Sequence, residues 1–240
     1  MNAINLLEFL RESPMVVFTV KDIARIINKN ERYSSLVLFR LKKRNLLLEI
    51  EKGKYCLKDA PVLAIASNLV FPSYISFLSA LSFYKATTQI PAVIEAVSPK
   101  IKKEIIFQNY KIKFYKMEKK KIFGYSKVFV EGKSAFIAEQ EKLILDCLFL
   151  KQIYLKEVFY ILKTFKINKE KLFNYAVRLS SKILFKRLIY LLKSAKQEFY
   201  KKFLKKNLSN RYELLNPLLP PRGIKNKELK LILNEDINAE

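Results

Sequence analysis

Along residues 1–58 the spacing of apolar positions alternates between helical and extended. Ile4, Leu6, Leu7 and Leu10 recur at three- and four-residue intervals, predicting a first helix that ends near Ser13-Pro14. Met15 to Phe18 is a short β-rich run. Thr19 stands three residues before Asp22, close to a capping-box pattern: the hydroxyl accepts an orphan N–H and the carboxylate suits the positive helix end. Ile23, Ala24, Ile26 and Ile27 give that second helix its buried side. After the polar break Asn28–Glu31 a third helix runs from about Arg32 to Arg44, and Asn45 tolerates the left-handed backbone that ends it. Leu46–Ile50 and Tyr55–Leu57 predict two strands around the turn Glu51–Lys54. Helix, short strand, helix, turn, helix and basic hairpin, in that order, predict a winged helix-turn-helix.

Beyond residue 58 the pattern shortens and then lengthens. Val93–Val97, Glu104–Phe107, Tyr110–Tyr115, Lys127–Val130 and Ser134–Ile137 are β-branched or aromatic runs, with turns at Gln108-Asn109 and Glu131-Gly132. Glu139–Leu150, Leu155–Phe165, Lys169–Leu179 and Lys182–Leu192 then carry helical spacing, with Asn168 and Ser180 as expected caps. Pro217, Pro220, Pro221 and Gly223 mark an irregular tail in which Leu229–Leu233 reads as a last strand. The expected fold class is therefore α+β. A winged helix-turn-helix (1–58) precedes a mixed domain (59–240) with helices and a small, largely antiparallel sheet over 59–138. A helical bundle follows over 139–240.

Charge changes this picture. Forty-six Lys and Arg against 22 Asp and Glu give a formal balance of +24, which points to a polyanion, either nucleic acid or an anionic membrane. A membrane span is the weaker reading. Pro61–Phe83 is uncharged and long enough, but Asn68 and Phe71-Pro72 interrupt it, and two short buried helices explain it better. The N-terminus carries Glu8 and Glu12 and no basic stretch, unlike a secretory leader, so the expected location is the cytoplasm. The chain contains no histidine, which excludes imidazole general bases, histidine triads and Cys₂His₂ zinc sites. Cys56 and Cys147 stand far apart in apolar runs, as buried reduced thiols do.

The basic residues fall where duplex recognition needs them. On the third helix, Arg32, Tyr33, Ser34, Ser35, Arg40, Lys43 and Arg44 are the candidate DNA contacts, with Lys52 and Lys54 at the wing tip. Leu36, Val37, Leu38, Phe39 and Leu41 make that helix apolar around most of its circumference, so part of its surface is expected to pack on the second domain or a partner. Lys111 and Lys113, alternating with apolar residues, and the run Lys119-Lys120-Lys121 form a candidate second basic surface. The cluster Lys201-Lys202 and Lys205-Lys206 reads as solvated lysines over core aromatics. Catalytic chemistry is not expected, nor is any cofactor or metal. The nuclease alternative needs clustered carboxylates beside a lysine, and only Glu139-x-Glu141-Lys142 has the residue types.

Several stretches resemble the AbiEi antitoxin and regulator family. FTVKDIARIINKN…LFRLKKRNLLLEIEKGKYCL is similar to its N-terminal winged helix, and PSYISFLSALSFYKATTQIP (Pro72–Pro91) to its "SYIS-x-x-SAL…Q-I-P" signature. Phe123-Gly124 with the strand around Val128, then Ala138–Asp146, resemble its later "ASPEKA-x-LD" motif, and Arg187–Leu192 its C-terminal helix. Gln140 stands where the family has proline and Asn45 where it commonly has glycine. The resemblance implies a type IV toxin–antitoxin or phage-defence regulator. Such a protein represses its own operon and counteracts a nucleotidyltransferase-like toxin without a stable complex. A homodimer would recognise an inverted repeat in double-stranded operator DNA, with half-sites about one helical turn apart or a multiple of it. The alternatives are a protein-interaction module and a metal-dependent nuclease.

Overall fold

The structure, a computed structural model, describes residues 2–150, 154–204, 206 and 208–237. Lys205 of the Lys201–Lys206 cluster lies outside them. The described residues form an α+β fold with ten α-helices and three small open sheets. Two compact units divide the chain, Met1–Ile75 with Ala92–Ile137 and Ser76–Pro91 with Ala138–Glu240.

The first unit opens with α1 (Ala3–Glu12), β1 (Phe18–Thr19), α2 (Val20–Ile27), α3 (Glu31–Lys43), β2 (Leu47–Glu51) and β3 (Lys54–Leu57). The capping box forms at α2: the Thr19 N–H donates to Asp22 Oδ2 at 2.8 Å and the Asp22 N–H to Thr19 Oγ1 at 3.4 Å. Left-handed asparagines end both following helices. Asn28 has φ 51° after α2, and Asn45 has φ 57° after α3, where the Leu46 N–H closes back on the Leu41 carbonyl. The three strands pair antiparallel in the order β1-β3-β2. Leu6, Leu10, Ile23, Ile27, Leu38 and Leu41 turn inward from the helices to meet Phe18, Leu47 and Cys56 from the strands. Each such large side chain contributes roughly 1.5–3 kcal/mol when fully buried.

The same unit continues through α4 (Val62–Asn68), β4 (Tyr74–Ile75), β5 (Val93–Ser98), β6 (Ile105–Phe107) and β7 (Tyr110–Lys116) to β8 (Tyr125–Val130) and β9 (Lys133–Ala138). These strands build a six-stranded sheet in the order β6-β7-β5-β4-β9-β8. The sheet is mixed rather than largely antiparallel. β5 runs parallel to β7 along its whole length and β4 parallel to β9, while β4–β5 and β6–β7 are antiparallel. The expectation erred because alternation identifies strands but not their partners. β6 folds onto the outer side of β7, so β7 can lie beside β5 in the same direction.

Lys133 opens β9 and is buried. Its Nζ donates to the carbonyls of Leu10 (2.5 Å), Arg11 (2.7 Å) and Ser13 (2.6 Å), which satisfies the carboxyl end of α1. Burial holds its pKa below the ordinary lysine value, against the pull of Asp59. Hydrogen bonds to a charged group each stabilise by about 1.5–3 kcal/mol, and removing the donor strands three carbonyls. Lys133→Met is expected to cost about 2–4 kcal/mol in urea unfolding.

The second unit holds α5 (Phe77–Phe83), α6 (Gln140–Phe149), α7 (Leu155–Thr164), α8 (Lys169–Leu179), α9 (Lys182–Ser194) and α10 (Tyr200–Leu204). The strands β10 (Glu213–Leu214), β11 (Ile224–Asn226) and β12 (Leu231–Leu233) follow, in the order β10-β12-β11. α6 is the central element, packed against α5, α7, α8 and α9, and Leu143, Ile144, Leu145, Cys147 and Leu148 are fully buried on it. Two charged residues on α6 are equally buried: Lys142 pairs with Asp146, whose other oxygen accepts the Ser76 hydroxyl at 2.9 Å. Asn168 caps α8 as expected, but Ser181 rather than Ser180 caps α9. Ser180 takes a left-handed φ of 52° and ends α8 instead.

Adjacent cations on α9 hold the C-terminal strands. Lys186 Nζ donates to the Arg211 carbonyl and to Glu213 Oε2, both at 2.7 Å. Arg187 donates to the carbonyl of Leu148 at 2.7 Å and to that of Leu214 at 3.1 Å. Burial lowers the Arg187 pKa to about 10, against the attraction of Glu213.

The uncharged stretch 61–83 divides into α4, β4 and α5, and no helix among the described residues is long and apolar enough to cross a membrane. Both cysteines are free and buried. Burial, reinforced by the nearby Asp59 carboxylate, pushes the Cys56 thiol up to about 12. Since the thiolate is the nucleophile, iodoacetamide at pH 8 is expected to spare both cysteines in the native protein and to modify both in urea. Labelling of the native chain, read by mass spectrometry, would contradict this burial.

Candidate nucleic-acid interface

α3 is the element on which the candidate contacts converge. Asn30 starts it, accepting the Tyr33 N–H at 2.8 Å, and Ser34, Leu38 and Leu41 bury its inner face. Helical geometry then divides the rest of its circumference. Arg32, Leu36, Phe39 and Lys43 share the outward stripe. Tyr33, Val37, Arg40 and Arg44 line the side towards α1, where with Asn2, Ala3, Leu6, Ile27 and Leu41 they enclose a cleft of about 280 Å³. Ser35 and Lys42 occupy the opposite flank, and Lys42 pairs with Glu49 of β2.

Ser34 is a correction. It lies on the inner face, fully buried, and its hydroxyl donates to the Asn30 carbonyl at 2.9 Å, so it offers nothing to a ligand. The other α3 candidates, Arg32, Tyr33, Ser35, Arg40, Lys43 and Arg44, are exposed. Of the apolar residues of this helix, Leu38 and Leu41 are buried, whereas Leu36 and Phe39 are 51% and 63% exposed.

The hairpin tip turns at Gly53, whose φ of 76° suits a residue without a side chain. Its N–H donates to Glu49 Oε1 at 3.1 Å, and this hydrogen bond, after that of Lys42, lowers the Glu49 pKa. The two candidate lysines of the hairpin differ. Lys52 is exposed at the turn. Lys54 is engaged internally: its Nζ donates to the Leu69 carbonyl at 2.7 Å and pairs with Glu51 at 2.8 Å. Burial opposes ionisation of Glu51, but Lys102 and Lys54 outweigh it and its pKa falls. Lys54 therefore serves the hairpin's attachment rather than its tip.

The second basic surface belongs to other elements. Ile112 and Phe114 on β7 face inward, while Lys111 is exposed and pairs with Glu104 at 3.2 Å. Lys113 is half-buried, with its ammonium 5.2 Å from the centre of the Tyr115 ring. Lys119, Lys120 and Lys121 form one 3₁₀ turn, on which Glu118 pairs with Lys120 at 3.0 Å and Lys121 at 3.1 Å. Neighbouring carboxylates thus offset part of this charge.

Carboxylates singled out for metal chemistry have other partners. Glu139 accepts the Tyr175 hydroxyl at 2.7 Å and pairs with Lys171, and Glu141 accepts the Asn168 N–H at 2.9 Å. Among the described residues no three Cys, Asp or Glu side chains gather as a metal site would require. Sequence reasoning missed the buried cations Lys133, Lys142, Lys186 and Arg187. The spacing of Lys142 and Asp146, one helical turn apart amid the apolar run Leu143–Leu148, was the available signal for Lys142. No protein-family model matches the chain, and no curated protein is significantly similar to it.

Proposed function

We propose that the chain is a transcriptional regulator that binds double-stranded DNA, with residues 1–58 as a winged helix-turn-helix and α3 as its groove-reading helix. One observation carries this reading. Arg32, Arg40 and Lys43 on α3, Arg44 at its C-cap and Lys52 on the hairpin form no ion pair among the described residues, whereas Lys42 and Lys54 do. Unpaired cations along one helix and an adjoining turn match a phosphate backbone on either side of a major groove.

The likeness of Pro72–Pro91 and Ala138–Asp146 to the AbiEi signatures supports a narrower role. The regulator would work in the cytoplasm as a homodimer on an inverted repeat. It would repress its own operon and counter a nucleotidyltransferase-like toxin without holding it, with α6–α9 as the C-terminal bundle. A gel shift with the full chain and the DNA upstream of its gene tests the core of the reading. Retention of that duplex over a scrambled one at 50 mM salt is the expected result, and no shift with either would overturn it. The exposed Leu36 and Phe39 favour a second reading, in which α3 docks a protein.

A further inference from the structure

The outward stripe of α3 has an apolar centre between cationic ends: Arg32, then Leu36 and Phe39, then Lys43. At about 1.5 Å per residue, Arg32 and Lys43 stand roughly 16 Å apart along the helix axis. Their long side chains can therefore bracket a major groove about 12 Å wide. Leu36 and Phe39 are neighbours three residues apart, so both can face the floor of such a groove. What they would meet there is chemically restricted. Base edges in the major groove present donors and acceptors, and the one apolar group among them is the 5-methyl of thymine.

We propose, resting on the DNA-binding reading above, that Leu36 and Phe39 are specificity-determining residues that select thymine by contact with its methyl group. Arg32 and Lys43 hold the flanking phosphates. Two alternatives for this stripe fit less well. A second copy of the chain would set the same unpaired cations against each other in a molecule of net charge +24. A protein partner needs roughly 800 Å² of contact on each side. Two side chains bounded by cations provide only a small part of that.

Deoxyuridine differs from thymidine by this methyl alone and tests the proposal directly. Duplexes would be selected from a random pool by the full chain, then resynthesised with deoxyuridine in place of thymidine. The wild type is expected to bind the deoxyuridine duplex about tenfold more weakly, the effect of two buried methyl groups, with an unchanged salt slope. The double variant Leu36→Ala/Phe39→Ala changes only exposed side chains. It should fold normally by circular dichroism and bind both duplexes equally. Equal binding of the two duplexes by the wild type overturns methyl recognition while leaving DNA binding intact. If, in addition, the double variant binds as tightly as the wild type, the stripe serves a protein instead. Failure to retain any duplex at 50 mM salt removes the DNA-binding reading and this proposal together.

Discussion

Asp146→Ala is expected to destabilise the protein by about 3–5 kcal/mol, a large share of the roughly 5–15 kcal/mol that separates folded from unfolded domains. Lys142 and Asp146 lie one turn apart on α6 with both side chains fully buried. Desolvation already holds the Lys142 pKa below its ordinary value, and the Asp146 carboxylate is what most opposes that fall. Without the carboxylate the ammonium must shed its proton or remain charged in an apolar interior, and the Ser76 hydroxyl loses its acceptor as well. Replacing both members, as in Lys142→Met/Asp146→Leu, should cost far less, because no isolated charge remains. Urea unfolding of Asp146→Ala, Asp146→Asn and the double variant reads the difference. A loss below about 1 kcal/mol in both single variants would show that the pair contributes little.

The second large effect concerns salt. Five cations, Arg32, Arg40, Lys43, Arg44 and Lys52, are exposed and without ion-pair partners among the described residues. On the DNA-binding proposal, if each displaces a counterion from the duplex, affinity is expected to fall with a log–log slope of roughly −4.5 per protomer, about 500-fold between 50 and 200 mM salt. Arg40→Ala/Lys43→Ala should lower affinity roughly fiftyfold at 0.1 M salt and flatten the slope by about two. Lys54→Ala, by contrast, should leave the slope unchanged, because that ammonium is already engaged by Glu51 and the Leu69 carbonyl. A wild-type affinity that ignores salt would place its source elsewhere than the phosphates.

Local chemistry made the first three helices and the hairpin legible from sequence. Thr19 and Asp22 announce the start of α2, and asparagines at 28 and 45 take the backbone angles that end α2 and α3. The same local logic placed α6 to α9 within a residue or two. What escaped depends on distant parts of the chain. The parallel pairing of β5 with β7 follows from where β6 folds, and alternation along β7 cannot report that. Lysines 54, 133 and 186 look alike in sequence, and each is assigned by carbonyls up to 123 residues away. Ser34 was misplaced for a simpler reason: a polar residue between exposed neighbours turns inward when its hydroxyl can bond the preceding turn.

The grip of Lys186 and Arg187 on residues 211–214 makes the last strands the closing piece of their unit. Until those strands dock, an ammonium and a guanidinium on α9 remain wet; once docked, they are sealed in. A fragment cut short before Arg211 would enclose cations without the carbonyls meant to receive them, or would leave that side of α9 open to water. Shortened forms of the protein should therefore keep this segment, however irregular its prolines make it look.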